Sequence, residues 1–398
     1  MKKILFLGAA PAQLPPIYYA LEQCYYVVTC DYLPDNPGHR IAHESYPIST
    51  TDRDGVLALA RSLSIDGIVA YAADSGAPTA AYVAEKLGLP GNPYDAVCTL
   101  TRKDRFRTLL QRLGFKVPRS AAFDSLAAAR VWSKRLRLPI YVKPVDAAGS
   151  RGITILDSLA GLDAAFMNAQ CYSRAKMVVV EESIEKVGCQ VDSDAFIVDG
   201  KLKFWLWADA HFDPSVAPPN PIANSYPSTI DPRCGERAAA QLQEIISHLG
   251  MRNGALNVEF LVDADGEVWF LEVAPRNGGD CIPDVIKHAT GVDLVKYTVD
   301  AALGMGCQTL GNVTPSGYWS NYIIHPPEQG LLTGIWISEA LKKRVVNERL
   351  WVKPGMPMKS PIGVLILRFR GAREMQGMLE DMHSHIRVEY SKSVVSVE

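Results

Sequence analysis

The chain has 398 residues, 48% of them apolar and 21% charged, with a mean hydropathy of +0.01. That composition excludes a disordered chain, and 30 glycines with 26 prolines exclude collagen-like and low-complexity classes. The net charge of −2 excludes a generic nucleic-acid binder, so a bound anion has to be held by a local site.

At about 150 residues per domain, the length points to two or three domains. The cysteines at 24, 30, 98, 171, 189, 234, 281 and 307 show no C-x-x-C spacing, which predicts reduced thiols in a cytoplasmic protein rather than disulfides or structural zinc. No apolar run is long enough to cross a bilayer, so no membrane partner is expected. The opening MKKILFLGAAPAQ imitates a signal peptide, but its strongly apolar core is only Ile4 to Leu7. A buried first strand is the expectation, with secretion the alternative.

From there to about residue 92, short apolar runs alternate with helical spacing. Strands are predicted at Ile4–Leu7, Val27–Thr29 and Gly67–Tyr71, and helices at Val56–Leu63 and Ala77–Leu87, the last stopped by Gly88. Such alternation predicts a parallel sheet covered by helices. Gly8 and Asp31 hint at a dinucleotide site, but the G-x-G-x-x-G fingerprint is absent. The joint Leu89-Pro90-Gly91-Asn92-Pro93 closes this unit.

A helix follows at 102–113, with Thr101-x-x-Asp104 as a capping-box-like start. Arg102, Lys103 and Arg105 crowd its first turn, where the macrodipole disfavours cations and free N–H groups favour an anion. Either a phosphate-like anion binds there or the face is simply solvated. Ile140–Lys143 reads as a strand, Val145–Gly152 as a small-residue loop and Ile153–Leu156 as a second strand. Lys143 at a buried strand end needs a counter-charge, and Gly149, Ser150 and Gly152 allow backbone N–H groups to approach phosphate oxygens. The alternative is an ordinary hairpin with a snorkelling lysine. Further strands are predicted near Met177–Val180 and Val191–Val198, a helix at 235–249 and a hairpin at 255–274. The tail from about 310 reads as a small α/β or mostly β appendage.

The hairpin is the most specific feature. An Asp265-Gly266 two-residue turn would pair Val258 with Val273, Phe260 with Leu271 and Val262 with Trp269 on one apolar face. On the other face Glu259 would then meet Glu272, and Asn257 would meet Ala274. Two facing carboxylates repel, and a hard cation such as magnesium, shared with phosphate oxygens, relieves them. A four-residue turn keeps the pair on one face, whereas a three-residue loop breaks the argument. Arg276 and Asn277 follow the strand end, placed to reach an anion near such a metal. His211, after the aromatic run Phe204–Trp207, is a weaker candidate for a cleft residue.

Together, Thr101-Arg102-Lys103-Asp104, Val142-Lys143-Pro144, Val180-Glu181-Glu182-Ser183-Ile184, Asn257-Val258-Glu259-Phe260 and Glu272-Val273-Ala274-Pro275-Arg276 resemble the ATP-grasp superfamily, in order and spacing. The closest likeness is to L-amino-acid ligases and to proteins like the carbamoyl-phosphate synthetase large subunit. The resemblance implies an α/β ATP-grasp fold with an N-terminal Rossmann-like (pre-ATP-grasp) domain at 1–92. An ATP-grasp domain follows at 93–309, with a lid subdomain inside 120–185, and a small C-terminal α/β appendage at 310–398. It implies ATP and Mg2+ (or Mn2+) as cofactors, Lys103 and Lys143 on the phosphates, and a hinge strand at 180–184 that meets adenine mainly through backbone groups, with Glu181 near the amino group and Glu182 and Ile184 beside it. It implies Gln190 at the ribose position, Glu259 and Glu272 on the metal, and Arg276 and Asn277 at the reacting groups. Two departures are visible: Ala274 replaces a usual Asn ligand, for which Asn257 is a candidate substitute, and Gln190 replaces a usual Glu. The implied function is a carboxylate–amine ligase working through an acyl phosphate and releasing ADP. Its partners would be a small carboxylate, an amino acid or a relative, and an amine, with a homodimer left open. The alternatives are a carboxyphosphate-type enzyme and a degenerate nucleotide-binding module.

Overall fold

The computed structural model describes residues 1–213, 216 and 220–392. Among these residues the first sheet is parallel, ordered Glu44–Tyr46, Tyr26–Cys30, Lys3–Leu7, Gly67–Val69. Leu5, Leu7 and Val28 pack beneath the helices Arg53–Leu63 and Ala77–Leu87. Ile4, Phe6 and Val27 face Ile17 and, from the later helix Leu294–Ala302, Val299. Burial on both faces explains why these strands read as continuous apolar runs. The loop leaving the carboxyl end of Gly67–Val69 reaches the rest of the molecule through Asp74, the usual position for a cleft in an open parallel sheet.

Inside the span expected to hold a lid lies a separate antiparallel sheet ordered Ser120–Phe123, Val178–Glu182, Ile140–Pro144, Thr154–Leu156, packed on the helices Leu126–Ser133 and Leu162–Tyr172. The large central sheet runs Val268–Ala274, Gly254–Val262, Gln190–Val198, Asp209–Phe212, Pro221–Tyr226, Tyr318–Ile324, Gly363–Phe369, Val345–Leu350, with Lys201–Trp205 on a side branch. The long helix Pro232–Leu249 buries Ala238, Leu242 and Ile246 against Val258, Phe260 and Val273.

The tail is α/β, but three of its strands pair into the central sheet rather than standing apart, with Ala223 opposite Tyr322 across the junction. Only Leu331–Ile337 and Ile386–Ser391 pair as a small sheet of their own. The central sheet therefore runs across the boundary expected near 310. The reason is an open edge: Pro221–Tyr226 offers unpaired backbone groups that the tail satisfies. Among the described residues no helix is long and apolar enough to cross a membrane.

Candidate active site

The hairpin departs from the predicted turn. Asp263 and Glu267 close a three-residue loop, with Gly266 at φ +75° in the left-handed region that its lack of a side chain permits. Val262 consequently faces Val268 and Phe260 faces Phe270, one residue out of the expected register, so Leu271 and Trp269 do not join that core face. An irregularity between Glu259 and Phe260 then absorbs Leu271 as an extra residue and restores the pairing beyond it. Glu259 faces Glu272, and Asn257 faces Ala274, as expected. The facing pair survives a three-residue loop because a bulge cancels the slip.

A third strand completes the acidic face. Glu259 also faces Asp192, and Asn257 faces Asp194, across Gln190–Val198. Burial first, and then Asp192 and Glu272, push the Glu259 carboxyl well above its ordinary range, against the pull of Lys103 and Arg276. Asp194 is pushed up to about 7 by burial, although the Gly278 N–H opposes the shift. That N–H lies 2.8 Å from Asp194 Oδ1, and a Cβ on Gly278 would collide with the same oxygen at 2.8 Å. Asp280 is raised to about 6, mainly by burial and then by Asp192. Asp280 and Cys281 both have left-handed φ, 49° and 61°, a conformation that costs of order 1 kcal/mol or more per non-glycine residue.

The opposite wall is cationic. Lys143 Nζ donates to Glu181 Oε1 at 2.6 Å, and Arg107 donates to the same carboxylate through Nε at 3.0 Å. Arg107 and then Lys143 hold Glu181 down to about 2, against the opposing effect of burial. Lys143 itself lies below its ordinary value, because burial and the neighbouring Arg107 outweigh what Glu181 returns. One carboxylate between two buried cations leaves a positive charge unbalanced. Arg107 also donates to the carbonyls of Phe270 and Leu271, 3.2 and 2.9 Å away. It therefore ties the lid strand to the bulge that sets the carboxylate pair.

Lys103 leaves the first turn of the helix Lys103–Arg112 and donates to Glu272 Oε2 at 3.0 Å and to the Ala147 carbonyl at 3.1 Å. Burial opposes its charge, but Glu272, Asp74 and Glu259 raise it above the ordinary range. The predicted cap at Thr101 does not form. Arg102 occupies the N-cap position, Asp104 takes the Arg102 guanidinium, and the Thr101 hydroxyl donates to the Val97 carbonyl instead. Gly149, Ser150 and Gly152 lie in the loop above Lys103, all with left-handed φ.

Four predicted site residues have committed partners. Arg276 forms a bidentate pair with Asp74 at 2.8 and 2.9 Å, which brings a loop of the parallel domain into the site. Asn257 accepts from Arg276 at 3.1 Å and donates to Asp192 and Asp194, so its amide oxygen is occupied rather than offered beside Ala274. Gln190 donates through Nε2 to Glu259 Oε2 at 3.0 Å, so its amide nitrogen is committed to the facing carboxylate pair. Asn277 is buried, accepting from Thr298 at 2.7 Å, while its Nδ2 has no partner among the described residues. Glu182 accepts from the Arg137 backbone, and half-buried Ile184 lies in the loop just past the lid strand. His211 bonds Ser225 and senses Asp209 and Glu380, away from the carboxylate row. Sequence reading missed Arg107, Asp74, Asp192, Asp194 and Asp280; only the alternation of Asp192 and Asp194 within an apolar strand was available as a signal.

Residues 136–284 match the ATP-grasp domain family. The chain is 27% identical over 286 residues to the carbamoyl phosphate synthase large chain of Vibrio cholerae, covering 70% of this chain and 26% of that protein. It thus spans about a quarter of the length of that relative. It is 28% identical over 286 residues to a formate-dependent phosphoribosylglycinamide formyltransferase of Burkholderia vietnamiensis, covering 69% of each chain. The fold is shared with an L-amino acid ligase from Bacillus licheniformis at a TM-score of 0.81 and 18% identity, over 98% of this chain and 99% of that one. The match to the ATP-grasp domain spans residues 136–284, and the shared fold extends over nearly the whole chain.

Proposed function

We propose that this protein is an ATP-dependent, ADP-forming carboxylate–amine ligase acting on a small carboxylate, an amino acid or a relative of one. The observation that carries the reading is the Glu259–Glu272 pair, set opposite Lys103, Lys143 and Arg276. The two walls fit a metal–polyphosphate complex. Burial and then the neighbouring Asp192 and Glu272 raise Glu259, and burial, helped by Arg107, lowers Lys143, so each wall favours a ligand of the opposite charge. Among the described residues no cluster of three or more His, Cys, Asp or Glu could hold a metal by itself. Glu259 and Glu272 would hold Mg2+ (or Mn2+) with the remaining ligands coming from phosphate oxygens. When bound, the metal supplies neutralisation of the charge that develops on the phosphoryl group.

In this reading Lys103 and Lys143 exchange their carboxylate partners for phosphates, and the Ala147–Gly152 loop covers them and excludes water. An oxygen of the acid attacks the γ-phosphorus while the bond to ADP breaks. The amine then attacks the acyl carbon, and phosphate leaves. Arg276 orients the acid, with Asp74 and Asn257 holding the guanidinium in place. Product analysis tests the proposal. ADP with one phosphate per bond formed is expected, and AMP with pyrophosphate overturns it. A carboxyphosphate-type reaction is a second reading, favoured by the similarity to carbamoyl phosphate synthase large chains. It requires ADP formation with bicarbonate as the only acid.

A further inference from the structure

We infer that Asn321, on the tail strand Tyr318–Ile324, is a positioning residue for Arg276, acting through a buried ring of hydrogen bonds that leaves the loop 276–281 at Arg276 and returns to it at Asp280. The inference rests on the ligase reading for what Arg276 does, and on distances for the ring itself. Arg276 Nη1 donates to Asn257 Oδ1 at 3.1 Å, and Asn257 Nδ2 donates to Asp192 Oδ1 at 2.9 Å. Asn224 Nδ2 donates to the other carboxylate oxygen of Asp192 at 3.2 Å and to the Asp192 carbonyl at 2.8 Å. The Asn224 N–H donates to Asn321 Oδ1 at 2.9 Å, and Asn321 Nδ2 donates to the Asp280 carbonyl at 2.7 Å. Asn224 and Asn321 face each other in register, so the strand that joins the tail to the central sheet also closes the ring.

Every side chain in the relay from Asn257 to Asn321 is buried. Burying three amides and a carboxylate is costly unless each is bonded, and apolar side chains would cover a sheet face without that demand. What the ring supplies is a fixed geometry, and the loop it holds needs one. Asp280 and Cys281 both have left-handed φ, which persists only where the surroundings over-determine the backbone. Between the two ends of the ring, the Gly278 N–H is fastened to Asp194, which also accepts from Asn257. Alternate loop residues 276, 278 and 280 are thus tied to one face of the sheet, while Asp74 holds the other edge of the Arg276 guanidinium.

Asn321 therefore reaches Arg276 by two routes, through the loop backbone from Asp280 and through Asn224, Asp192 and Asn257. Removing its amide leaves the Asp280 carbonyl and the Asn224 N–H without these partners, and the loop carrying the guanidinium relaxes. A displacement of about 1 Å at a group that orients substrate costs up to about a hundredfold in rate. The tail contributes to the reaction in this way without touching the substrate.

Hydrogen exchange on the whole protein, read on peptides covering 274–285, tests the ring without any substrate. Two variants break it at different bonds: Asn321→Ala, and Asn224→Ala, which keeps its own N–H on Asn321 and loses only the contact with Asp192. Each should raise exchange in the loop by about tenfold, the scale of one buried hydrogen bond. Leu341→Ala, in the tail core and outside the ring, should lower the thermal midpoint and leave loop exchange as in wild type. Kinetics with Mg2+ and ATP use whichever amino acid, or bicarbonate, best supports ADP formation in the wild type. The two ring variants should lower kcat/KM for that acid by about tenfold to a hundredfold. Their KM for ATP should stay within about twofold of wild type, because Lys103 and Lys143 are untouched. Wild-type loop exchange in both ring variants overturns the inference, and so does a loosened loop with unchanged kcat/KM, which would make the ring purely structural. The same changes in Leu341→Ala overturn it as well. A wild type that releases AMP, or forms no ADP with any acid, removes the ligase reading instead, and the ring then stands or falls on loop exchange alone.

Discussion

The lid wall and the central-sheet wall are both buried and both charged, but they carry opposite surpluses. In the lid, Glu181 is shared by Arg107 and Lys143, and the lysine is left short of an anion. On the sheet, Glu259 stands between Glu272 and Asp192, with Gln190 as its neutral donor and Lys103 committed to Glu272. Removing charges from water is costly in either place, and each wall balances its own charge only partly. A ligand with phosphates at one end and cations around them satisfies both walls at once. The difference also separates two kinds of residue: those that await a ligand, and those, such as Arg107, that hold the walls in register.

Neutralising the sheet wall should have the largest effect. Glu259→Gln is expected to lower turnover by about a thousandfold, the scale for losing a key electrostatic contact in the transition state. Without metal the variant should be as stable as the wild type or more so. A carboxyl whose folded pKa is raised destabilises the fold as pH climbs from the unfolded value through the folded one. Metal-free wild-type stability should therefore fall over that interval, and less steeply in the variant. Chemical denaturation across pH checks this, and a variant less stable than wild type at neutral pH would make the pair structural.

Next comes the tie between the walls. Arg107→Met leaves Glu181 with one cation and frees two carbonyls at the bulge, so a loss of about 3–5 kcal/mol is expected in urea unfolding at neutral pH. The depressed Glu181 pKa has the opposite sign to Glu259. It contributes stability above the unfolded value of 4.5 that is lost as pH falls toward about 2. Removing Arg107 should shift that acid loss to higher pH; an unchanged acid limb would detach Glu181 from Arg107. On the lid wall, Lys143→Ala should weaken ATP by roughly tenfold to a hundredfold in calorimetry. Unchanged affinity would show that the surplus charge there serves something other than phosphate.

How much of this was legible in the sequence follows from range. The Glu259–Glu272 pairing came through because strand alternation and a nearby turn set it within one hairpin, although the loop length and the bulge were both missed and offset each other. Lys103 and Lys143 were visible because each sits at an element boundary where a cation is out of place. Asp74 and Arg107 were not, because their partners lie 202 and 74 residues away and no local period announces a contact of that range. The helix Ala77–Leu87 matches its predicted span because Gly88, in the left-handed conformation at φ 65°, ends it locally. The tail's place in the central sheet is set by an edge strand almost a hundred residues upstream, which local propensity does not see.

Asn257 offers the smallest and most discriminating change. Its position opposite Ala274 suits a substitute metal ligand, yet its oxygen accepts from Arg276 and its nitrogen donates to Asp192 and Asp194. A network role predicts that Asn257→Ala costs about 1–3 kcal/mol, since two buried carboxylates lose a shared donor while keeping others from Asn224 and Gly278. Magnesium dependence should then stay close to wild type, because Glu259 and Glu272 are untouched. A ligand role predicts the reverse: little change in metal-free stability and a shifted magnesium saturation curve. Restoring Asn at 274 in the Asn257→Ala background sharpens the contrast. It should rescue magnesium dependence only if an oxygen at 257 was a ligand, and it should leave the stability loss in place if Asn257 serves to hold Arg276 and the two aspartates.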